Sequence, residues 1–246
     1  MAWFEEWFDT PLYEKLYAHR DEEEAAMMAA LIAHTCPPHK YREVLDLACG
    51  RGRHSYNLAA LSYQVLGADL SPNAIDKAKT NIPRGLKRNP SFVVHDMRKK
   101  LKIRFDLIVN LFTSFGYFEN HDDNKNVIKN VSAMLKENGA FVIDYLNPDF
   151  VTSTLVKKQK HEVDDIEVEI TRSISKSMVK KTMRFSWPGT SNNQVFEEKV
   201  QLYDLGWFRD VFEESGLELT EKFGNYDGSP YDAKESKRMI LFALKK

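Results

Sequence analysis

The chain has 246 residues, enough for one large domain or one domain with an insertion. Its 43% hydrophobic and 29% charged residues exclude a disordered or fibrous chain, and a formal net charge of −1 leaves no broad field for holding a polyanion. Residues 1–9 lack a secretory pattern, no apolar run approaches the roughly 20 residues that span a bilayer, and Cys36 and Cys49 are too few for a disulfide framework or a zinc site. The expected location is the cytoplasm, with no membrane association and no metal.

In chain order, the first helix is expected over residues 11–34. Thr10 caps it, Pro11 takes its first position, and Leu12, Leu16, Met27, Met28, Leu31 and Ile32 form its apolar stripe. Cys36-Pro37-Pro38 ends it. Short apolar strands then alternate with amphipathic helices, the pattern of a parallel sheet covered on both faces. The strands are residues 43–48, 63–69, 91–95, 105–111 and 140–146. The helices between them are residues 53–61, one beginning at Ser71-Pro72, and residues 122–138, stopping at Asn138-Gly139.

From about residue 151 to 203 the period becomes two. Ile166, Val168 and Ile170 alternate with acids, Met183, Phe185 and Trp187 repeat the pattern, and Phe196, Val200 and Leu202 extend it. A small antiparallel sheet inserted into the α/β domain is the expected result. A helix over residues 204–215, with Leu205, Phe208, Val211 and Phe212 inward, returns the chain to strands at residues 217–226 and 237–244.

The residues with chemical content gather at the ends of the first four strands. Gly50 and Gly52 follow strand one in Asp46-Leu47-Ala48-Cys49-Gly50-Arg51-Gly52, where missing Cβ atoms let a ligand lie on the backbone. In an open α/β sheet ligands bind at this carboxyl edge. The loop alone suits a purely structural turn equally well. Asp69 ends strand two, 23 residues after Asp46, and its carboxylate can accept from both hydroxyls of a ribose. Helix capping is the other role open to it, and Ser71 fills that better. Asp96, after Phe92-Val93-Val94, can accept from an exocyclic adenine amine while Met97 packs on the ring, or can be an ordinary turn aspartate. Asn110-Leu111-Phe112 adds a floor where the reactive end of a nucleoside would point.

Together these segments resemble the class I S-adenosylmethionine-dependent methyltransferases. Residues 44–54 look like their first motif, 65–70 their second, 94–97 their third and 105–112 their fourth. The N-terminal aromatics Trp3, Phe4, Tyr13 and Tyr17 with His19-Arg20, the run at residues 111–118, and residues 224–231 resemble a bacterial branch with an inserted sheet and no assigned substrate. The resemblance implies a Rossmann-like α/β fold: a seven-stranded methyltransferase sheet with helices on both faces plus the inserted antiparallel sheet. Residues 1–150 and 204–246 would form the cofactor domain, with residues 1–40 an N-terminal lid helix, and residues 151–203 the insertion. It further implies that backbone at Ala48 and Gly50 holds the methionine part of S-adenosylmethionine, Asp69 the ribose, and Asp96 with Met97 the adenine. Closure of the N-terminal helix would bring Tyr13 and Arg20 to the cofactor carboxylate. The cofactor-binding set is then Tyr13, Arg20, Asp46, Ala48, Cys49, Gly50, Gly52, Asp69, Leu70, Asp96, Met97, Asn110, Leu111 and Phe112. Ala48 stands where the family often has its first glycine, and alanine fits there if φ is negative.

Methyl transfer from a sulfonium is an in-line displacement, for which positioning suffices. His54, Tyr117, Asn147 and Tyr231 are polar residues near the acceptor side, but each has a structural role open to it, and no catalytic residue is assigned. A small-molecule acceptor is favoured over nucleic acid. The sequence after strand four, Asn110-Leu111-Phe112-Thr113, lacks the Asn/Asp-Pro-Pro-aromatic pattern of base amine methyltransferases, and the basic clusters at residues 98–104, 157–160 and 176–181 are diluted by acids. RNA methylation, a non-catalytic S-adenosylmethionine-binding protein and a nicotinamide-dependent oxidoreductase are the alternatives. The last would favour G-x-G-x-x-G, which this loop lacks. The inserted sheet either forms part of the acceptor pocket or pairs two subunits into a homodimer through an exposed edge.

Overall fold

A computed structural model describes residues 2–17, 22–190 and 192–246. Before the first strand come α1 (Trp3–Trp7), α2 (Pro11–Leu16) and α3 (Glu22–Thr35). There follow β1 (Glu43–Leu47), α4 (Arg53–Ala60), β2 (Gln64–Asp69), α5 (Pro72–Thr80), β3 (Ser91–Val94), β4 (Phe105–Asn110), α6 (His121–Met134), β5 (Leu135–Leu146) and α7 (Pro148–Ser153). The inserted strands are β6 (Lys158–Val163), β7 (Ile166–Ser175), β8 (Met178–Ser186) and β9 (Asn193–Gln201). The chain returns through α8 (Leu205–Glu214), β10 (Leu217–Phe223) and β11 (Arg238–Lys245).

The larger sheet has seven strands in the order β10-β11-β5-β4-β1-β2-β3. β1 pairs in parallel with β2 on one side and β4 on the other. Strand order reverses between them, which opens a crevice above their carboxyl ends. β11 runs antiparallel to β5 and β10, so the sheet is mixed rather than wholly parallel. No crossover helix separates β10 from β11, and without one the chain can double back beside itself.

Successive side chains along each buried strand point to opposite faces. Val44, Val109 and Val142 meet Met28 and Ile32 of α3 and Leu58 of α4 on one face. Leu45, Ile108 and Phe141 meet Val127 and Val131 of α6 and Phe208 and Phe212 of α8 on the other.

Two expected boundaries move. The helix expected over residues 11–34 is two helices, α2 and α3. Thr10 does cap the first, its Oγ1 accepting from the Tyr13 N–H at 3.1 Å. On one continuous helix Leu12 and Met28 would lie about 160° apart, so a single rod could not bury both stripes in one core. α3 instead lies on the large sheet, with Met27 38% exposed, while α2 joins α1, which the sequence pattern did not predict, on the inserted sheet. The helix expected over residues 122–138 ends at Met134, and β5 begins at Leu135. Leu135 fits helical spacing but is buried equally well as a strand residue opposite Phe105. Periodicity therefore does not locate that boundary.

The inserted strands form an antiparallel sheet in chain order. One face carries Val168, Ile170, Met183 and Phe185, all buried, against Trp7, Leu12 and Leu16 of the N-terminal helices. The period-two reading of residues 151–203 thus finds its partner in residues 3–16. Gln201 N–H donates to the Gly116 carbonyl at 2.8 Å, joining the end of β9 to the loop after β4.

Candidate active site

The loop after β1 turns sharply. Ala48 and Cys49 N–H both donate to the Ala68 carbonyl, at 2.7 and 3.1 Å, which pins the loop to the end of β2. Ala48 has φ +63°, Gly50 +55° and Gly52 +83°. The condition under which alanine would replace glycine without strain is therefore not met, and Ala48 sits in a left-handed conformation costing about 1 kcal/mol or more. The two glycines differ in purpose. A Cβ on Gly52 would lie 2.8 Å from the Phe92 ring, so its absence serves packing at the start of α4. A Cβ on Gly50 would meet no protein atom within 4 Å, and Gly50 lines the cleft. Its absence leaves room for something other than the protein.

Asp69 faces this loop from β2. Its Oδ2 accepts from Gly50 N–H at 2.7 Å and its Oδ1 from Ser71 N–H at 2.9 Å. Ser71 Oγ, not Asp69, caps α5, accepting from Ala74 N–H at 3.0 Å. Burial pushes the Asp69 carboxyl above its ordinary range against the pull of these backbone donors. Asp96 lies beyond β3 and is clasped by Arg98, whose Nη2 donates to Oδ2 at 2.7 Å and whose Nε reaches both oxygens at 3.0 Å. Burial pushes Asp96 up, and the Arg98 guanidinium and backbone N–H outweigh it, so the carboxyl sits below its ordinary range.

Above these strand ends lies a cleft of about 1310 Å³. A drug-sized ligand needs a pocket of roughly 300–1,000 Å³, so the space exceeds one such molecule. Of the expected cofactor-binding residues, Tyr13, Ala48, Cys49, Gly50, Asp69, Leu70, Asp96, Met97, Leu111 and Phe112 line it. Asp46, Gly52 and Asn110 stand outside that lining. Asp46 is 2% exposed and accepts from Ser55 Oγ at 2.6 Å, tying β1 to α4. Asn110 Nδ2 donates to the Leu47 carbonyl at 2.9 Å and the Ser114 carbonyl at 3.3 Å, tying the ends of β1 and β4 together. Its buried Oδ1 meets no donor among the described residues. Arg20 lies outside the described residues.

The candidate bases separate likewise. Asn147 caps α7 and donates to the Ala233 and Ser236 carbonyls at 2.8 and 2.7 Å, and Tyr231 donates to Asn147 at 3.4 Å. Both are structural. His54 and Tyr117 line the cleft. Tyr117 OH donates to the Thr113 carbonyl at 2.5 Å, and its ring packs against Trp3 and Phe8 of the N-terminal segment.

Three sets of side chains at the site were not singled out from the sequence, two of them in elements expected there. Asp144, fully buried in β5, accepts from Arg238 Nε at 2.8 Å, Tyr226 OH at 3.0 Å and Phe112 N–H at 2.9 Å. Arg238 also reaches Thr113 Oγ1 at 2.8 Å. This network holds Phe112 and Thr113 at φ +59° and +57°, shaping the floor. The available signal was a lone acid in Phe141-Val142-Ile143-Asp144-Tyr145. The second set ties down the expected lid: the Ser71 hydroxyl donates to Asp9, and Glu14 pairs with Arg51 at 2.7 Å and with Lys77. The third belongs to the inserted sheet, for which a place in the acceptor pocket was one of two expectations: its Arg172, Val179, Lys181, Glu198 and Val200 line the cleft.

Comparison with known proteins agrees with this geometry. Residues 38–199 match the family model of a methyltransferase domain. The chain is 27% identical over 195 residues to the glycine/sarcosine N-methyltransferase of Parasynechococcus marenigrum, covering 76% of this chain and 67% of that one. Its fold is similar to an S-adenosylmethionine-dependent methyltransferase of Clostridium acetobutylicum, with TM-score 0.80, 21% identity and 95% and 96% of the two chains covered. It is similar also to an amino pentose methyltransferase of Micromonospora echinaspora solved with S-adenosylmethionine bound, with TM-score 0.70, 18% identity and 96% and 98% covered. The chain belongs to the methyltransferase-domain family. The reaction and cofactor expected from its strand ends, methyl transfer from S-adenosylmethionine, are those of that family.

Proposed function

We propose that this S-adenosylmethionine-dependent methyltransferase holds its cofactor across the ends of β1 to β4 and methylates a small molecule seated beside it, under the inserted sheet. The observation that carries this reading is one continuous cleft lined by Gly50, Asp69, Leu70, Asp96 and Met97 and continuing to Arg172, Lys181 and Glu198. The chemistry of the first group fits the cofactor. Gly50 leaves space for the methionine portion against backbone, and Asp69 offers a half-buried carboxylate for the ribose hydroxyls. Asp96 offers an acceptor for the adenine amine, with Leu70 and Met97 as apolar walls. Tyr13 closes the site from the lid, and Leu111 and Phe112 form its floor. Asp46 and Asn110 act through the loop they brace, and Gly52 by letting α4 pack against Phe92.

When bound, the cofactor supplies an electrophilic methyl group on a sulfonium. The protein's part is to fix the angle and distance of the acceptor and to exclude water, which requires no nucleophilic side chain. α1 and α2 roof the cleft for that purpose. The relatives named for glycine, sarcosine and amino pentose methylation support a small amine as acceptor. The basic clusters that could have met RNA are partly matched by acids: Arg98 by Asp96, Lys158 by Glu169, Lys160 by Glu167 and Lys180 by Glu197.

We assign residues 1–150 and 204–246 to the methyltransferase domain and residues 151–203 to an insertion serving the acceptor. α1 and α2 form the lid, and α3 belongs to the large sheet. A homodimer through the insertion would have to use an edge such as β6, whose Lys158, Lys160 and His161 disfavour strand pairing. No described helix is long and apolar enough to cross a membrane. The buried, unpaired Cys36 and Cys49 support a reducing, cytoplasmic location. Isothermal titration with S-adenosylmethionine, S-adenosylhomocysteine and NADH tests the central reading. Binding of the first two supports it, and binding of NADH alone overturns it.

A further inference from the structure

The register of the inserted sheet sets three charged side chains in one row across its strands. Arg172 of β7 stands opposite Lys181 of β8, and Lys181 opposite Glu198 of β9. Side chains two apart on a strand share a face, so this row lies between two apolar ones. On one side is Ile170-Met183-Phe196, packed with the N-terminal helices. On the other is Ile174-Val179-Val200, of which Val179 and Val200 line the cleft. The charged row thus falls where the sheet emerges from beneath α1 and α2 into the open cleft.

The three charges are not equivalent. Glu198 is already engaged: its carboxylate accepts from Trp7 Nε1 at 2.7 Å and from Tyr17 OH at 2.7 Å, and it pairs with Lys181 at 3.6 Å. Arg172 is anchored by neutral acceptors, its Nη1 donating to Gln159 Oε1 at 2.7 Å and to the Val156 carbonyl at 3.2 Å. Among the described residues it has no carboxylate partner. Of the lid acids that line the same cleft, Asp9 and Glu14 are held on the cofactor side by Ser71, Arg51 and Lys77, and Glu5 accepts from the Ala2 N–H at 3.0 Å. A half-buried guanidinium fixed through one nitrogen keeps its Nε and Nη2 donors as a planar fork, the geometry that matches an oxyanion. Apolar neighbours such as Leu155 and Val179 strengthen such a contact by keeping water from it.

We propose that Arg172 binds an oxyanion of the methyl acceptor, so that the substrates of this enzyme are small molecules carrying a carboxylate or phosphate apart from the methylated atom. Lys181 adds positive field, and Glu198, held by Trp7 and Tyr17, fixes the row in register. This inference rests on the methyl-transfer reading of the same cleft.

The test is to incubate the protein with trideuteromethyl-labelled S-adenosylmethionine and a bacterial small-molecule extract, identify the labelled product by mass spectrometry, and measure kinetics on it. The expected product carries a carboxylate or a phosphate, and the spectrum tells which. Arg172→Gln is expected to raise KM for that acceptor about tenfold or more with a smaller change in kcat, while cofactor Kd stays unchanged. Arg172→Lys, which keeps the charge and loses the fork, falls between. A neutral or purely cationic product overturns the inference, as does an unchanged KM in Arg172→Gln. Cofactor binding with no labelled small molecule overturns it as well. Failure of the cofactor to bind overturns instead the methyltransferase reading beneath it. If Arg172→Gln does not fold, Arg172→Lys carries the comparison, and a wild-type KM there overturns the fork.

Discussion

Replacing Asp46 by Asn isolates the cost of a buried charge behind the glycine loop. Asp46 is 2% exposed, and its one side-chain partner among the described residues is Ser55 Oγ at 2.6 Å. Burial, reinforced by the nearby Asp69 carboxylate, outweighs the Ser55 hydrogen bond and moves the carboxyl from 3.8 up to about 7. A carboxyl that holds its proton more tightly folded than unfolded favours the fold fully below pH about 4. That contribution is lost as pH climbs through about 7. About three pH units at 1.36 kcal/mol each amount to roughly 4 kcal/mol. Asp46→Asn keeps an oxygen for Ser55 and removes the ionisation. Urea unfolding at intervals from pH 4 to 8 is expected to show wild type losing up to roughly 4 kcal/mol relative to the variant, which becomes the more stable protein above pH 7. Parallel curves for the two proteins would refute the reasoning. The same charge should serve binding, because a cationic ligand offsets it. S-adenosylmethionine affinity is therefore expected to tighten from pH 6 to 8 in wild type and to stay flat in Asp46→Asn.

If Asp69 holds the ribose as proposed, Asp69→Ala removes two charge-assisted hydrogen bonds, about 3 kcal/mol, and should weaken S-adenosylmethionine and S-adenosylhomocysteine about a hundredfold by titration calorimetry. An unchanged Kd would remove Asp69 from the site. Gly50→Ala places a methyl group where no protein atom stands, so cofactor affinity should fall further than the about 1–2 kcal/mol of stability lost to its positive φ. Equal losses in calorimetry and urea unfolding would count against a ligand there. Asp144→Asn leaves the largely buried Arg238 against a neutral partner and should cost about 3 kcal/mol of unfolding free energy, while Asp144→Leu with Arg238→Met recovers most of it. Failure of the double variant to recover would mean that the pair contributes more than charge balance. Glu14→Ala cuts the tie from α2 to Arg51 and Lys77. It is expected to speed cofactor release in stopped-flow measurements with little change in Tm, and an unaltered release rate would show that this tie does not restrain the lid.

The residues proposed to form the cofactor wall could be picked out because their signals are local. A glycine turn after a strand and an acid at the end of the next can be read from adjacent residues, and Gly50, Asp69 and Asp96 stand on the cleft as read. Ala48 shows the limit: its identity said nothing of its φ, which is set by two hydrogen bonds to Ala68 across the strand pair. The remaining elements depend on pairings between distant segments. Asp144 meets its partner 94 residues away at Arg238, and nothing nearby in sequence marks the two as a pair. The row Arg172-Lys181-Glu198 exists only through the register of three strands. The break between α2 and α3 was legible in principle, since stripes on opposite sides of one helix require two separate cores.

The division of the N-terminal segment also bears on how the cleft is reached. α1 and α2 bury Trp7, Leu12 and Leu16 in the apolar cluster of the inserted sheet, and Trp7 and Tyr17 bond Glu198 on β9. Toward the cofactor loop, the polar ties of α2 and the turn before it are different in kind: Asp9 with Ser71, and Glu14 with Arg51 and Lys77, whose side chains are 29%, 33% and 36% exposed. Each exposed pair contributes about 0–1 kcal/mol, whereas burying each large apolar side chain contributes about 1.5–3 kcal/mol. Trp3 and Phe4 add ring contacts to Tyr117 and Phe118, which lie in the loop after β4 that Gln201 joins to β9. Parting the lid from the glycine loop therefore costs less than stripping it from the inserted sheet. The proposed lid is thus held more firmly to the inserted sheet than to the glycine loop, and Glu198, bonded to both α1 and the residue after α2 and paired with Lys181, is where that lid is joined to the row proposed to face the acceptor.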